Sequence, residues 1–375
     1  MNEDINKRNI NAFLVLVRAG LWEKVNENPN ENLFKGLGWG KVQKLAEEQS
    51  VVGLVAAGFE KLTAYSLPLT EKLTLLGKCQ LIEQRNEAMN RFIADLMTML
   101  QEAGINAVLV KGQGVARCYE KPLWRACGDV DLLLNRNNYE KGKAFLTPLA
   151  SHVDPEDRNK LHQGMTISQW TVELHGALHV DFSKRIDAGV DEVQRDIIEN
   201  NGVRNWNNGD VDIQLPNANN DALVIFTHFI EHFYVGGVGV RQVCDWCRLL
   251  WTYREEIDRT ILEERLRKMG LMTEWKGFAA FTVEYLGMPV DAMPLYENTS
   301  SYRRKACRLC ELILETGDLG HNKNEGYRGM CSKTTSNIIT FFRRFGEFAH
   351  IAAIFPFNSP RFFVTYIIDR IKAVA

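Results

Sequence analysis

The sequence predicts an α+β fold: a small mixed-sheet core at residues 105–215, set between helical regions at 1–104 and 216–375. Three observations lead there. The stretch Ala107–Leu134, AVLVKGQGVARCYEKPLWRACGDVDLLL, reads as strand, glycine turn, helical segment and second strand. On either side of the middle third, apolar residues recur at helical spacing. Within that third, short alternating segments end at turn residues.

Taken in order, Asn9–Gly20 is an apolar helix, too short to span a membrane and stopped by a glycine. Val42–Leu62 carries Val42, Leu45, Gln49, Val52, Val55, Ala56 and Phe59 on one helical face, and Glu71–Ala103 continues in that style. Both are expected to pack rather than to catalyse.

The centre is different. Ala107–Val110 is a short apolar strand, Gly112-Gln113-Gly114 a turn opening a helix, and Asp129–Leu134 a second strand. Alternation puts Asp129, Asp131 and Leu133 on one face and Val130, Leu132 and Leu134 on the other. Two carboxylates about 6.8 Å apart along a strand repel each other unless a cation joins them. Oxygen donors of this kind suit Mg²⁺, which takes one or two carboxylates and leaves room for substrate phosphates. Asn138–Leu149 then reads as a helix, and Thr166–His175 alternates like a strand, with Glu173 and His175 on one face. Beside Asp129–Leu134, such a strand brings Glu173 up as a third carboxylate. Asp210–Leu215 is a short strand after the turn-prone Asn207-Asn208-Gly209. Helices follow at Asp221–Tyr234, Val240–Tyr253, Thr260–Met269, Glu274–Leu286 and Ser301–Thr316, then an aromatic-rich end, Ile338–Ala375.

Lys111-Gly112, Tyr119, Pro122, Arg125, the run Asp129-Val-Asp131-Leu-Leu-Leu134 and Glu173-Leu-His175 together resemble an uncharacterised bacterial family of the DNA polymerase β-like nucleotidyltransferase superfamily. His228…His232 and Gly239-Val-Arg241-Gln-Val-Cys-Asp245 resemble that family's downstream pattern, so the likeness spans roughly residues 40 to 255. Where the superfamily usually has Gly or Ser second in the turn, this chain has Gln113.

The resemblance implies a reaction: an NMP moves from an NTP to an unidentified acceptor, small molecule, saccharide or protein, and pyrophosphate leaves. Two Mg²⁺ ions would be held by Asp129, Asp131 and Glu173. Lys111, the Gly112–Gln113 turn and Arg125 would receive the triphosphate, through helix N-terminal amides and bidentate guanidinium contact. Arg241 and Asp245 would line the cleft from the helical side or form an internal ion pair, with His175 close by. The alternative is a catalytically silent nucleotide-binding or regulatory module on the same fold.

Composition narrows the partners. The 375 residues carry a formal net charge of −2, which gives no basic field for nucleic acid. No apolar run reaches the ~18 residues of a membrane span. Eight cysteines without a signal peptide fit reduced thiols in a cytoplasm.

Four patterns imitate sites. Gly209-Asp-Val-Asp212 repeats Gly128-Asp-Val-Asp131 letter for letter, but without a glycine–helix unit before it, and reads as a polar hairpin edge. His228-Phe-Ile-Glu231-His232 matches a zinc-protease spacing, yet its neighbours Phe226, Phe229, Ile230 and Phe233 read as core, which leaves the histidines at the cleft surface. Cys244, Cys247, Cys307 and Cys310 sit at helical spacing without glycine knuckles and are expected to be buried thiols. Phe341–Phe345 and the apolar end are expected to bury one helix side rather than to lie on a membrane.

Overall fold

The structure is a computed structural model that describes residues 2–24, 33–34, 36–62, 68–180, 183–235, 237–318 and 346–365. The N-terminal region forms α1 (Asn2–Leu21), α2 (Trp39–Glu48), α3 (Val52–Lys61) and the long α4 (Leu69–Glu102). The helix expected over Val42–Leu62 is thus two helices. The chain breaks at Ser50, whose φ is 54°, and Gln49 leaves the helical pattern for a tertiary role. Its side chain donates to Ile313 O at 3.0 Å and accepts from Val240 N at 2.9 Å, tying the two ends of the chain together. A buried amide with both ends satisfied specifies that junction, whereas an unpaired one would cost roughly 1–3 kcal/mol.

The sheet contains β1 (Val108–Val110), β2 (Asp129–Leu133), β3 (Ala150–Val153), β4 (His162–Ile167) and β5 (Trp170–His175) in the order β1-β2-β5-β4-β3. β1 runs antiparallel to β2, β2 parallel to β5, and β5 antiparallel to β4, so the sheet is mixed. A separate hairpin joins β6 (Val203–Asn208) to β7 (Val211–Pro216). The short α5 (Gly112–Ala116) follows β1, α6 (Arg136–Leu146) follows β2, and α7 (Lys184–Glu199) follows β5. Side-chain caps start the latter two helices: Asn135 accepts from Asn138 N and Ser183 from Ile186 N. The single alternating stretch expected around Thr166–His175 is a hairpin, β4 and β5, turning at Ser168 with φ 55°.

Strand alternation sorts the core. Val130, Leu132, Leu134, Val172 and Leu174 pack with Met89, Ile93, Leu96 and Leu100 of α4 and with Tyr139 and Leu146 of α6. Each such fully buried aliphatic side chain contributes roughly 1.5–3 kcal/mol, so the register that sends them inward is firmly fixed. The opposite face, bearing Asp131 and Glu173, turns toward α8 (Ala218–Val235), the first of the C-terminal helices, which continue as α9 (Val240–Thr252), α10 (Arg259–Met269), α11 (Met272–Leu286) and α12 (Ser300–Thr316). Those helices share one hydrophobic core with α1 to α3, in which Phe13, Leu16, Phe226, Trp246, Trp275 and Phe278 are all buried.

Phe348, Ile351, Ile354, Phe355 and Phe362 of the C-terminal stretch are buried in the same core, while Phe357 is 77% exposed. Phe341–Phe345 lie outside the described residues. Among the described residues no helix is long and apolar enough to cross a membrane. Cys244, Cys247 and Cys310 are buried free thiols, but Cys307 is exposed, contrary to expectation, because it falls on the outer side of α12.

Candidate active site

β2 and β5 build the site by their register. Asp131 is the direct partner of Glu173 across the parallel pair, Asp129 of Thr171 and Leu133 of His175. On this face the carboxylates of Asp129, Asp131 and Glu173 converge, each offering an oxygen within 4.8 Å of the others. The hairpin then sets His162 of β4 opposite His175 of β5. His162 Nε2 lies 3.2 Å from Glu173 Oε2, and His175 Nε2 lies 2.9 Å from Asp131 Oδ1 and 3.6 Å from Glu173 Oε2.

Lys111 is the local cation. It stands at the end of β1 with φ 58°, and its ammonium meets Asp131 Oδ1 at 2.8 Å. Burial works against that charge, but Asp131, helped by Asp129 and Glu173, raises the Lys111 pKa. The two aspartates differ. Burial would raise Asp131, yet Lys111 and His175 outweigh it and hold the carboxyl well below the usual range. At Asp129 the charge of Asp131, then burial, outweigh the attraction of Lys111 and push the carboxyl up to about 6. Burial keeps His175 below its ordinary value, and its neutral Nε2–H tautomer satisfies Asp131. Hydrogen bonding to Glu173 raises His162.

A cavity of about 270 Å³ opens beside Glu173, lined by Lys111, Lys160, His162, His175, His179 and the α8 residues His228 and His232, among others. His228 and His232 do face the cleft, their Nε2 atoms 3.1 Å apart. Burial and Lys111 lower both, His232 to about 4, so they are neutral hydrogen-bonding groups at pH 7.

Other expected residues lie elsewhere. Arg125 is buried and committed: Nε and Nη2 donate to Asp245 at 3.0 and 2.7 Å, and Tyr119 Oη donates to the same carboxylate at 2.7 Å. That bidentate pair ties the β2 approach to α9, while Arg125 Nη1 is buried without a hydrogen-bond partner among the described residues. Asp245 is accordingly an internal ion-pair partner. Arg241 bonds Asp318 at 3.3 Å and lies 3.5 Å from Asp245. The Gln113 side chain turns away into α4, donating to Asn86 Oδ1 at 2.8 Å. Asn86 in turn donates to the carbonyls of Leu123 and Arg125. Gly112 adopts φ 43°, so the turn favours glycine there, while a Cβ on Gly114 would press only on the tip of the Leu215 side chain, 2.8 Å away.

A family described as uncharacterised nucleotidyltransferase matches residues 35–287, more than half of the chain. The chain belongs to this family. The family is part of the polymerase β-like nucleotidyltransferase superfamily. No curated protein and no solved structure matches. The matched span of this nucleotidyltransferase relative includes both strands of the acidic site and α8, the helix that closes the cavity. His162, His179 and Lys160 were not singled out by the sequence reading. The signal for His162 was its position: it is as far before the Ser168–Gln169 turn as His175 is after it, which a hairpin converts into contact.

Proposed function

We propose that the protein transfers a nucleoside monophosphate from an NTP to an acceptor hydroxyl at the Asp129–Asp131–Glu173 site. The observation that carries this reading is the convergence of three carboxylates within 4.8 Å on two adjoining strands, in a chain of a nucleotidyltransferase family. The donor set fits Mg²⁺, being all oxygen, with one carboxyl raised to about 6 by its neighbour, a repulsion that a cation relieves. When bound, two such ions supply Lewis-acid stabilisation of the charge on the transferring phosphoryl group.

The chain's own groups do the rest. Lys111, at the head of the turn, adds positive charge for the triphosphate. The first amides of α5 lack intrahelical acceptors and can donate to phosphate oxygens. The acceptor occupies the cavity beside Glu173, where neutral His228 and His232 orient its hydroxyl. An oxygen–phosphorus bond from the acceptor hydroxyl to the α-phosphorus forms as the bond from that phosphorus to the pyrophosphate oxygen breaks, and the hydroxyl proton passes to solvent. Arg125 and Asp245 hold the β2 approach and do not touch the nucleotide.

Incubation with each labelled NTP, Mg²⁺ and a cell extract tests the reading. Pyrophosphate release with label appearing in an acceptor supports it. Nucleotide binding without any release across all four NTPs would replace it with the silent module.

A further inference from the structure

We propose that His162, Glu173 and His175 form a second, nitrogen-rich cation site that takes a transition metal of the Zn²⁺, Mn²⁺ or Co²⁺ class, beside the all-oxygen site of the two aspartates. This deepens the preceding reading and rests on it for the identity of the neighbouring Mg²⁺ site.

Three observations carry it. The first is geometry. His162 Nε2 and His175 Nε2 lie 3.2 and 3.6 Å from the same Glu173 Oε2, and one ligand atom from each of the three residues falls within 4.8 Å of the others. Ligands about 2.0–2.1 Å from a tetrahedral ion stand ~3.3 Å from one another, so both histidine–glutamate spacings are close to those of a coordination shell.

The second is rigidity. His162 and His175 are direct cross-strand partners, and Glu173 lies two residues along β5 on the same face. Strands hold such ligands more firmly than loops do.

The third is chemistry and access. Two imidazoles and a carboxylate suit Zn²⁺, Mn²⁺, Co²⁺ or Fe²⁺ far better than Mg²⁺, which prefers oxygen and near-octahedral water. Three protein ligands leave a fourth position open, and this one faces the cavity lined by His228 and His232. Glu173 belongs to both groups of ligands and can bridge the two ions. Binding requires the neutral His175 ring to leave Asp131 and to move its one N–H proton from Nε2 to Nδ1 by exchange with solvent, so that Nε2 offers its lone pair; Asp131 keeps Lys111 as its partner.

The opposing reading is that His162 merely positions Glu173 by a hydrogen bond. Co²⁺ separates the two, because its visible ligand-field spectrum reports nitrogen ligation directly. The full chain, stripped by chelator, is titrated with Co²⁺ in a large excess of Mg²⁺, alongside H162Q and D129N. H162Q keeps an amide that can bond Glu173, so its fold is preserved while the imidazole is lost; circular dichroism checks this. Wild type is expected to bind one Co²⁺ per chain that Mg²⁺ does not displace. H162Q should weaken that binding by ~100-fold or more, since even outer-shell losses reach that range. D129N should keep the Co²⁺ spectrum.

Co²⁺ displaced by Mg²⁺, or bound equally by H162Q, overturns the proposal. The parent reading fails separately, if Mg²⁺ with NTP gives wild type no rise in melting temperature.

Discussion

The chain writes Gly-Asp-Val-Asp twice, at Gly128–Asp131 and at Gly209–Asp212, and the two copies have opposite fates. In the first, Asp131 is 2% exposed on a central strand, with Lys111 and His175 on its carboxylate and Glu173 across the register. In the second, Gly209 turns the β6–β7 hairpin at φ 69°, and Asp210 and Asp212 are exposed. The Asp212 carboxylate there accepts from the Asn207 side chain, at 3.3 Å. Identical letters thus become a charged centre or a solvated edge according to what packs around them. A carboxylate among others in a partly buried cleft has its pKa and its cation affinity altered.

The largest effect should come from the ground beneath the first copy. Arg125→Ala leaves Asp245 buried without its bidentate partner and should cost roughly 3–5 kcal/mol, read as a fall in urea midpoint. The protein that remains folded should keep its stabilisation by Mg²⁺ and NTP, because Arg125 is an anchor. Loss of NTP binding at unchanged stability would return Arg125 to the phosphate.

Next comes Asp131→Asn. An amide cannot answer the ammonium of Lys111, so the metal-free protein should lose roughly 2–4 kcal/mol. A neutral melting curve would show that the Lys111 pair is not formed in solution.

Asp129→Asn should act in the reverse direction. The folded pKa of Asp129, about 6, exceeds its ordinary 3.8. Between those values the native state holds a proton that the unfolded chain releases. This group therefore makes stability fall as pH rises from about 4 to 6. Without metal, Asp129→Asn should remove that slope and gain ~1–2 kcal/mol at pH 7, discounted for the partial exposure of the group. Chemical denaturation at several pH values measures it. A steeper slope in the variant would contradict the assignment.

The smallest effect belongs to the second copy. Asp212→Asn should stay within roughly 0.5 kcal/mol of wild type, with unaltered ligand response.

What the sequence disclosed follows the range of the forces involved. Helices α8 to α12 and strands β1, β2 and β7 were legible because apolar periodicity and turn residues are local. The acidic site was legible because two of its members share a strand and the third sits in a strongly alternating segment. The break at Ser50 was not, since Gln49 scores as one more position on a helical face, and only its bonds to Ile313 and Val240 explain its departure. The pairing of Arg125 with Asp245 was not legible for the same reason: the two are distant in sequence, and a guanidinium's letter does not say which anion it meets. Helix α7 was passed over because its cap, Ser183, follows no strong turn signal.

Thermal melts of wild type, D129N, D131N and D212N, each with and without Mg²⁺ and NTP, test the central claim most directly. At ligand about 100 times its Kd, wild type and D212N should each gain ~2.7 kcal/mol, while D129N and D131N gain little. Equal ligand-induced shifts in all four proteins would contradict a metal–nucleotide site at the first Gly-Asp-Val-Asp.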